Sequence, residues 1–403
     1  MLRWRRKLGK NAKWLLATEP GWSIPMPWVF YYQPLYMVAL GVGEVELGAY
    51  MSVSRAISVV APFIATHLAV KIGFKRSFLV LDTVSNVGYL LLLIAGKREL
   101  LGLGLAFSAL YAASGPLWEV LLVEGSDPET FVAIYSIPSV IYTVGSSATP
   151  LAGLLLESFG VVDGFRVVAV IALAFFVAKT AVLAVTLREP ATSAPSEKNE
   201  LMRVLKLAVS NRRLFAFLVY SILASVLFTV PSYLSLYLCD TRGAKLSVET
   251  AGLIPTLSSA ASLTVLALVT LRPPINRTPY LALSAALGVV SGLLYSLSSV
   301  EPRLAFVAAV LSGLRGAEFS VSRAFFMDLL KGFDTAARGQ AISLLYTAGS
   351  VFTIPAPTAV GYLYSIHPTL IWALAASASI LQLAIVLWLS SATKAVEKIR
   401  KLK

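Results

Sequence analysis

Long apolar stretches recur about every thirty residues along the chain, and short polar or glycine-containing segments separate them. Each approaches the roughly 20 residues that a helix needs to cross a bilayer core of about 30 Å. Because lipid cannot satisfy open backbone groups, and the stretches are too long and continuous for barrel strands, we expect helices. The pattern predicts twelve spans, over residues 25–43, 47–70, 78–95, 100–123, 131–156, 165–187, 215–238, 251–271, 279–298, 304–326, 341–365 and 370–391.

Composition and charge support a membrane protein and predict its orientation. The chain is 57% hydrophobic and only 14% charged, which is more apolar surface than one soluble core could bury. If the first span starts in the cytoplasm, about 24 of the 34 Lys and Arg residues fall on the cytoplasmic side, about six on the other side and four within spans. This predicts a multi-pass protein of the cell membrane with both termini cytoplasmic, whose net charge of +13 favours anionic lipid headgroups over nucleic acid.

The polar segments predict five regions. Residues 1–24 are basic and contain Trp4 and Trp14, as in an arm lying at the cytoplasmic interface, and residues 392–403 form a basic cytoplasmic tail. Between them we expect six-helix bundles at 25–187 and 215–391. The segment between the bundles, 188–214, is Pro/Ser/Ala-rich at first and then has the apolar spacing of an amphipathic helix.

A repeat links the two predicted bundles. YTVGSSATPLAG, starting at Tyr142, and YTAGSVFTIPAP, starting at Tyr346, lie 204 residues apart and share six identical positions. Membrane helices share small residues for packing reasons alone, which is the simpler explanation. The match nevertheless equates span five with span eleven, as a six-plus-six duplication requires, so we expect homologous halves.

Twelve spans, cytoplasmic termini, a central polar loop and a parallel repeat resemble the major facilitator superfamily of secondary transporters. THLAVKIGFKR is similar to that family's loop between spans two and three, although Thr66 and Val70 replace its Gly and Asp. GSSATPLAGL resembles the span-five motif associated with antiporters, and DTAARGQA is similar to the entry into span eleven. The resemblance implies an all-α protein with two six-helix bundles around a central cavity, a small-molecule substrate and a weak preference for efflux.

These motifs give candidate gating and hinge residues. The bases of the loop after span two are expected to pair with Glu124, although retention of positive charge inside explains them equally well. Glu119 aligns with Arg323 at the repeat offset, which suggests gating positions of opposite charge. The predicted gating set is Lys71, Gly73, Lys75, Arg76, Glu119, Glu124, Arg323, Asp328 and Arg338. The predicted hinges, which would let spans five and eleven bend, are Gly145, Pro150, Gly153, Pro355 and Pro357.

The predicted tenth span contains SGLRGAEFSVSR, which begins at Ser312. Arg315 falls near the bilayer midplane and Glu318 one turn further, on one polar face with Arg323. An ionised group there costs at least about 2.5–3.5 kcal/mol on insertion scales, so this face must meet a partner or a water-filled cavity. Either Arg315 and Glu318 only neutralise each other or other helices, or Arg315 anchors a polar substrate while Glu318 carries the coupling proton.

Other intramembrane polar residues are weaker candidates. Arg55 could line the same cavity or pair with Glu44 or Glu46, while Asp82 and Lys179 are expected to form a structural pair. Aromatic and amide side chains could form hydrogen-bonding walls, although packing explains each of them more simply. The predicted substrate-binding set is Arg315, Arg55, Gln33, Tyr32, Tyr142 and Tyr346.

The chain shows no sign of enzyme chemistry, cofactor or metal. It contains no GxxxxGK[ST] phosphate loop, and two histidines with a single cysteine do not make the usual zinc site. We therefore expect a monomeric, proton-coupled secondary transporter of a small organic solute. A proton symporter for an organic anion or sugar, a non-transporting receptor and a lipid-acting membrane enzyme are the alternatives.

Overall fold

The computed structural model describes residues 8–127, 131–190, 211–272, 274, 276–330 and 349–402. These residues form α-helices and one short 3-10 helix, and they contain no strand. The chain divides into two compact units. Unit 1 comprises Met1–Ser196 with Ser247–Thr256, and unit 2 comprises Glu197–Leu246 with Leu257–Lys403.

Unit 1 contains the helices of the first half. They are α1 (Lys10–Thr18), α2 (Pro20–Ser23), α3 (Met26–Ala39), α4 (Glu44–Ile72), α5 (Phe74–Ala95), α6 (Arg98–Ala109), α7 (Tyr111–Val123), α8 (Phe131–Ser147), α9 (Thr149–Phe159) and α10 (Val161–Thr186). One core of this unit joins small and large apolar side chains of several helices, including Ala65, Phe78, Leu117 and Leu183. Close packing of this kind holds helices together in lipid. Lipid tails are as apolar as the helix surfaces, so there is no hydrophobic driving force for helix association.

Unit 2 contains most of the second half. Its helices are α11 (Arg212–Leu227), the 3-10 helix Val230–Tyr233, α12 (Leu234–Cys239), α13 (Val248–Leu271), α14 (Thr278–Leu297), α15 (Leu304–Gly313), α16 (Glu318–Leu329), α17 (Ala356–Ile366) and α18 (Leu370–Leu402). The first turns of α13 belong to unit 1. A second core gathers Phe217 of α11, Leu281 of α14, Phe326 of α16 and Val386 of α18.

Nine helical stretches of the described residues are long and apolar enough to cross a membrane. They correspond to predicted spans three to ten and twelve. Predicted spans one and two coincide with α3 and α4, and predicted span eleven is described only from residue 349 onward. The chain is therefore an all-helical membrane protein, and the count of twelve spans stays a prediction.

The start of the chain differs from the interfacial arm that its basic residues suggested. From Leu8 onward it packs inside unit 1, where α1 lies against α7 and α10 and buries Ala12 and Leu15 completely. The bases Lys10 and Lys13 occupy the other face of a short amphipathic helix, so charge alone was misleading. At the other end of the chain, α18 runs without interruption to Leu402, through most of the predicted basic tail. Most of the predicted 188–214 linker lies outside the described residues.

Five predicted spans are interrupted among the described residues: span seven, at residues 228–229, and four others that break at corresponding places in the two halves. Span four breaks at Leu110 and span ten at residues 314–317, while span five breaks at Ala148 and span eleven at residues 353–355. Leu110 and Leu314 lie 204 residues apart, the same offset as the sequence repeat. Matching breaks at one offset support the internal duplication.

Candidate functional site

The break in span ten contains a cluster of hydrogen-bonded polar side chains in unit 2. Helix α15 ends at Gly313, a turn follows, and α16 begins at Glu318. In this turn the Arg315 and Glu318 backbone N–H groups donate to carbonyls only three residues earlier, at 3.2 and 2.7 Å. The turn places both side chains on one side, as the polar periodicity predicted.

Arg315 and Glu318 form an ion pair with two hydrogen bonds. Arg315 Nη2 lies 2.9 Å and Nε 3.1 Å from Glu318 Oε2. The two side chains keep 21% and 16% of their surface exposed, so water or a solute can still reach them. The pair is thus neither on the surface nor sealed in the core.

Two hydroxyl groups complete the surroundings of the Glu318 carboxylate. Tyr220 of α11 donates to Oε1 at 2.8 Å, and Ser284 of α14 donates to Oε2 at 2.6 Å. Glu318 also lies in the first turn of α16, where the helix dipole favours negative charge. One cation, two hydroxyls and a helix end therefore surround the Glu318 carboxyl group.

A glycine makes room for the Arg315 guanidinium. A Cβ atom on Gly288 of α14 would lie 2.7 Å from Arg315 Nη1 and 2.6 Å from Ser379 Oγ of α18. Ser379 Oγ and Gln382 Oε1 are buried, and neither has a hydrogen-bond partner among the described residues. The Ser379 hydroxyl lies at the same glycine as Arg315 Nη1 and can accept a hydrogen bond.

Four of the other candidate binding residues lie in unit 1, each with neighbours of its own. Gln33 is buried and accepts from Tyr89 at 2.5 Å, while the Tyr32 hydroxyl donates to the Val248 carbonyl at 3.1 Å. Tyr142 lies beside Trp22, and Arg55 is exposed on α4. Glu46, one proposed partner of Arg55, pairs with Arg98 at 2.8 Å. Tyr346 lies outside the described residues, and the binding roles of this set stay predictions.

The predicted hinge residues lie at close helix contacts next to the breaks. A Cβ on Gly145 would come within 2.3 Å of the Ser23 carbonyl, and one on Gly153 within 2.7 Å of the Tyr32 hydroxyl. Pro150 lies in the first turn of α9, directly after the break at Ala148. Pro355 caps α17 and Pro357 lies in its first turn. Their role in bending stays a prediction.

The gating candidates of unit 1 lie at a turn that an acidic side chain caps. Gly73 has a φ of +88° and turns the chain tightly between α4 and α5. Glu189, after α10, accepts hydrogen bonds from the backbone N–H groups of Phe74 and Lys75. Glu124 accepts from Asn11 at 3.1 Å. Glu189 thus caps α5 at the turn where Lys71, Lys75 and Arg76 lie.

In unit 2 the corresponding turn carries the type of ion pair that was expected in unit 1. Arg277 precedes α14, pairs with Asp328 near the end of α16, and donates to the Ala324 carbonyl at 3.0 Å. Arg323 lies over the Phe319 ring at 5.1 Å. Glu119 is exposed on α7, and Arg338 lies outside the described residues. The gating roles stay predictions.

Sequence reasoning found some polar partners and missed others. The predicted pair of Asp82 and Lys179 is confirmed, with 3.5 Å between Oδ2 and Nζ. It missed Tyr220 and Ser284, because a hydroxyl in an apolar span gives no signal until the facing helix is known. It also missed Glu19, which the interfacial interpretation of the arm had placed at the membrane surface.

Comparison with known proteins identifies the family of the chain. Residues 20–332 match the family model of the Major Facilitator Superfamily. The chain belongs to this superfamily. It is a multi-pass membrane transport protein, and no curated protein sequence matches it.

Solved structures of this superfamily share the fold. A mutant of the nucleoside transporter NupG superposes with a TM-score of 0.77 at 14% identity, covering 94% of this chain and 100% of that one. The peptide transporter POT gives a TM-score of 0.71 at 16% identity, covering 96% and 95%. A bacterial homologue of the human lysosomal transporter Spinster gives 0.64 at 15%, covering 97% and 96%. At these identities the likeness concerns the fold, not the substrate.

Proposed function

We propose that this superfamily member is a proton-coupled secondary transporter of the cell membrane, which moves a small organic solute by alternating access. The observation that supports it is the Arg315–Glu318 pair, held in the break of span ten by Tyr220 and Ser284. Ionisable groups inside a membrane are costly and commonly mark solute or proton pathways. A partly exposed pair at an irregular helix position fits this pattern.

In this proposal Arg315 anchors an anionic or polar group of the substrate, and Glu318 carries the proton. A substrate that competes for the guanidinium withdraws the cation that now stabilises the Glu318 carboxylate, and protonation becomes easier. Release of the substrate returns Arg315 to Glu318 and expels the proton. The Ser379 hydroxyl, which lies beside the guanidinium at Gly288, offers it an alternative partner during this exchange.

The substrate preference follows from charge. Arg315 and Arg55 favour an acidic or polyhydroxyl ligand over a cation. A nucleoside, the substrate named for NupG, is polyhydroxyl and belongs in the first pool to be tested. The antiporter-type span-five motif favours efflux, and symport of an organic anion or sugar is the alternative direction.

A second possibility is that the pair is purely structural. Every donor to Glu318 comes from within unit 2, and a satisfied pair of this kind can simply hold helices together. A non-transporting receptor or a lipid-acting enzyme would also be compatible with it.

Proteoliposomes with a trapped pH dye distinguish these functions. Pools of nucleosides, organic acids and sugars are added to wild type, to Glu318→Gln and to Glu301→Gln, an exposed carboxyl that serves as the control. Proton movement with one pool in wild type and the control, but not in Glu318→Gln, supports the proposal. Proton movement that survives Glu318→Gln contradicts it, and ligand binding without flux indicates a receptor.

A further inference from the structure

A second buried charge cluster lies in unit 1, separate from the Arg315–Glu318 pair. It consists of Glu19, Asp82, Lys179, Asn86 and Trp22, and we call it the Glu19 cluster. These residues come from the α1–α2 junction, α5 and α10. Asp82 lies eight residues from the start of α5 and Lys179 seven from the end of α10, which at 1.5 Å per residue places them about 11–12 Å from the predicted cytoplasmic ends of these helices. The cluster is therefore at membrane depth.

Close packing of α2 on α10 brings Glu19 to this depth. Pro20 starts α2, and a Cβ on Gly21 would lie 2.9 Å from Lys179 Cβ and 3.0 Å from the Phe175 carbonyl. Glu19 itself is only 6% exposed. Its carboxylate interacts electrostatically with both Lys179 and Asp82.

Hydrogen bonds connect the remaining members. Lys179 Nζ lies 3.5 Å from Asp82 Oδ2, and Asn86 Nδ2 donates to Asp82 Oδ1 at 3.2 Å. Trp22 Nε1 donates to Asn86 Oδ1 at 3.0 Å. Glu19 Oε1 accepts from the neighbouring Ser23 hydroxyl at 2.6 Å. The two carboxyl groups are thus supported unequally, since Asp82 has an ammonium and an amide while Glu19 has a hydroxyl.

The charges of the cluster do not balance. Asp82 and Lys179 are 2% and 7% exposed, so two carboxyl groups and one ammonium group are buried together. The groups that face the cluster from α7 and α8 are phenols: Tyr111 stacks on Trp22 at 5.1 Å, and Tyr142 lies 6.1 Å from the same ring. Among the described residues, Lys179 is the cation that pairs with these carboxyls. Burying an unpaired carboxylate costs several kcal/mol, and one bound proton removes this cost.

We propose that the Glu19 cluster is a proton-binding site, in which Glu19 and Asp82 share one exchangeable proton that resides mainly on Glu19. Two carboxyls that share a site and one cation hold a proton between them, because both cannot ionise cheaply. Asp82 keeps its charge through Lys179 and Asn86, which leaves the proton to Glu19. The site does not depend on the role proposed for Glu318, which lies in unit 2.

Trp22 offers a reporter for this proton. Its indole binds Asn86, which binds Asp82, so a change of charge in the cluster alters the field at the ring. Purified protein in liposomes is titrated with pH in sodium-free buffer, and tryptophan emission and the infrared carboxyl C=O stretch are recorded. The variants are Glu19→Gln, Glu19→Asp, Trp22→Phe and Glu318→Gln, each checked by its melting temperature.

The proposal predicts one titrating carboxyl band that disappears in Glu19→Gln, persists in Glu318→Gln and returns with a shifted midpoint in Glu19→Asp. The emission change is expected to vanish in Trp22→Phe and Glu19→Gln. The same titration in wild type and folded Glu19→Gln would overturn the proposal. It would equally be overturned if sodium, added at constant pH, produced the emission change, since the site would then bind a metal cation. If Glu318→Gln abolishes transport while the Glu19 titration persists, the two sites are shown to act separately.

Discussion

At the scale of single residues, Glu318 receives hydrogen bonds from Arg315, Tyr220 and Ser284, which come from three different parts of unit 2. The sequence offered the ion pair as one of two alternatives, because a spacing of three places both side chains on one helix face. It could not predict the hydroxyl donors, since those depend on how α11 and α14 face α16. The contact between Arg315 and Glu318 was therefore predictable from the sequence, whereas the hydrogen bonds from Tyr220 and Ser284 were not.

The Arg315–Glu318 pair is expected to couple more strongly than a surface pair of the same spacing. Arg166 and Asp163 are also three residues apart with 2.9 Å between their atoms, but 37% and 71% of their side chains are exposed. A double-mutant cycle with Arg315→Met and Glu318→Gln, measured by thermal melting in detergent, should give a coupling of about 0.5–3 kcal/mol. The matched cycle with Arg166→Met and Asp163→Asn should give less than about 1 kcal/mol. Equal coupling free energies in the two cycles would contradict this prediction, because partial burial would then add nothing to the coupling of Arg315 and Glu318.

Asp240, in the loop after α12, gives a pH-dependent prediction. Burial alone would raise the pKa of its carboxyl, but hydrogen bonds from Arg242 and Tyr364 outweigh burial and lower the pKa. A lowered pKa in the folded state stabilises the fold above the unfolded pKa of about 3.9, and this contribution is lost as the pH falls through the folded value.

Near neutral pH, wild type should therefore have a higher melting temperature than Asp240→Asn. This difference in melting temperature should shrink as the pH falls below about 4. Melting temperatures over that pH range test this. Tyr364→Phe, which retains the carboxyl, should keep the pH dependence in weaker form. A difference that grows in acid would contradict the assigned sign.

At the scale of elements, the sequence located the spans but not the break in span ten. Apolar length predicted span ten as one helix, whereas the structure divides it into α15 and α16. The reason is contact with α13: a Cβ on Gly313 would lie 2.2 Å from the Ser258 carbonyl, and one on Gly316 2.0 Å from Ser262 Oγ. Such contacts depend on a neighbouring helix, so periodicity within one span cannot reveal them.

Two glycines test whether this contact matters. Gly313→Ala pushes a methyl group against the backbone of α13 and should destabilise the protein by about 1–3 kcal/mol. Gly115 of α7 has nothing within 4 Å of its Cβ position, so Gly115→Ala should be neutral or stabilise by up to about 1 kcal/mol through helix propensity. Thermal melting in detergent compares them. Similar melting temperatures for the two variants would contradict the close contact.

At the scale of the whole molecule, the sequence predicted helical architecture, superfamily and internal duplication, and the matching breaks in the two halves agree with the last of these. The structure differs from the sequence-based interpretation at the start of the chain. That interpretation relied on basic residues such as Lys10 and Lys13 and did not consider the apolar face that Ala12 and Leu15 form. Charge patterning reports which residues meet water or headgroups, and it does not report what the opposite face buries. For the same reason, the burial of Glu19 was not predicted.

The predicted orientation can be tested by cysteine labelling in intact cells. With Cys239→Ser as background, Lys97→Cys lies in a predicted outer loop and Asn276→Cys in a predicted inner loop. A membrane-impermeant thiol reagent should label the first in intact cells and the second only after permeabilisation. The reverse pattern would place the termini outside.

Glu318 is proposed to couple protons to solute movement. The most direct test of this role distinguishes solute exchange from net transport. In proteoliposomes, a coupling residue is needed for proton-driven uptake, whereas exchange of labelled for unlabelled solute across the membrane requires no net proton movement. Glu318→Gln is therefore predicted to lose proton-driven accumulation while keeping exchange, with Glu301→Gln behaving as wild type. Proton-driven accumulation at the wild-type level in Glu318→Gln would contradict the account.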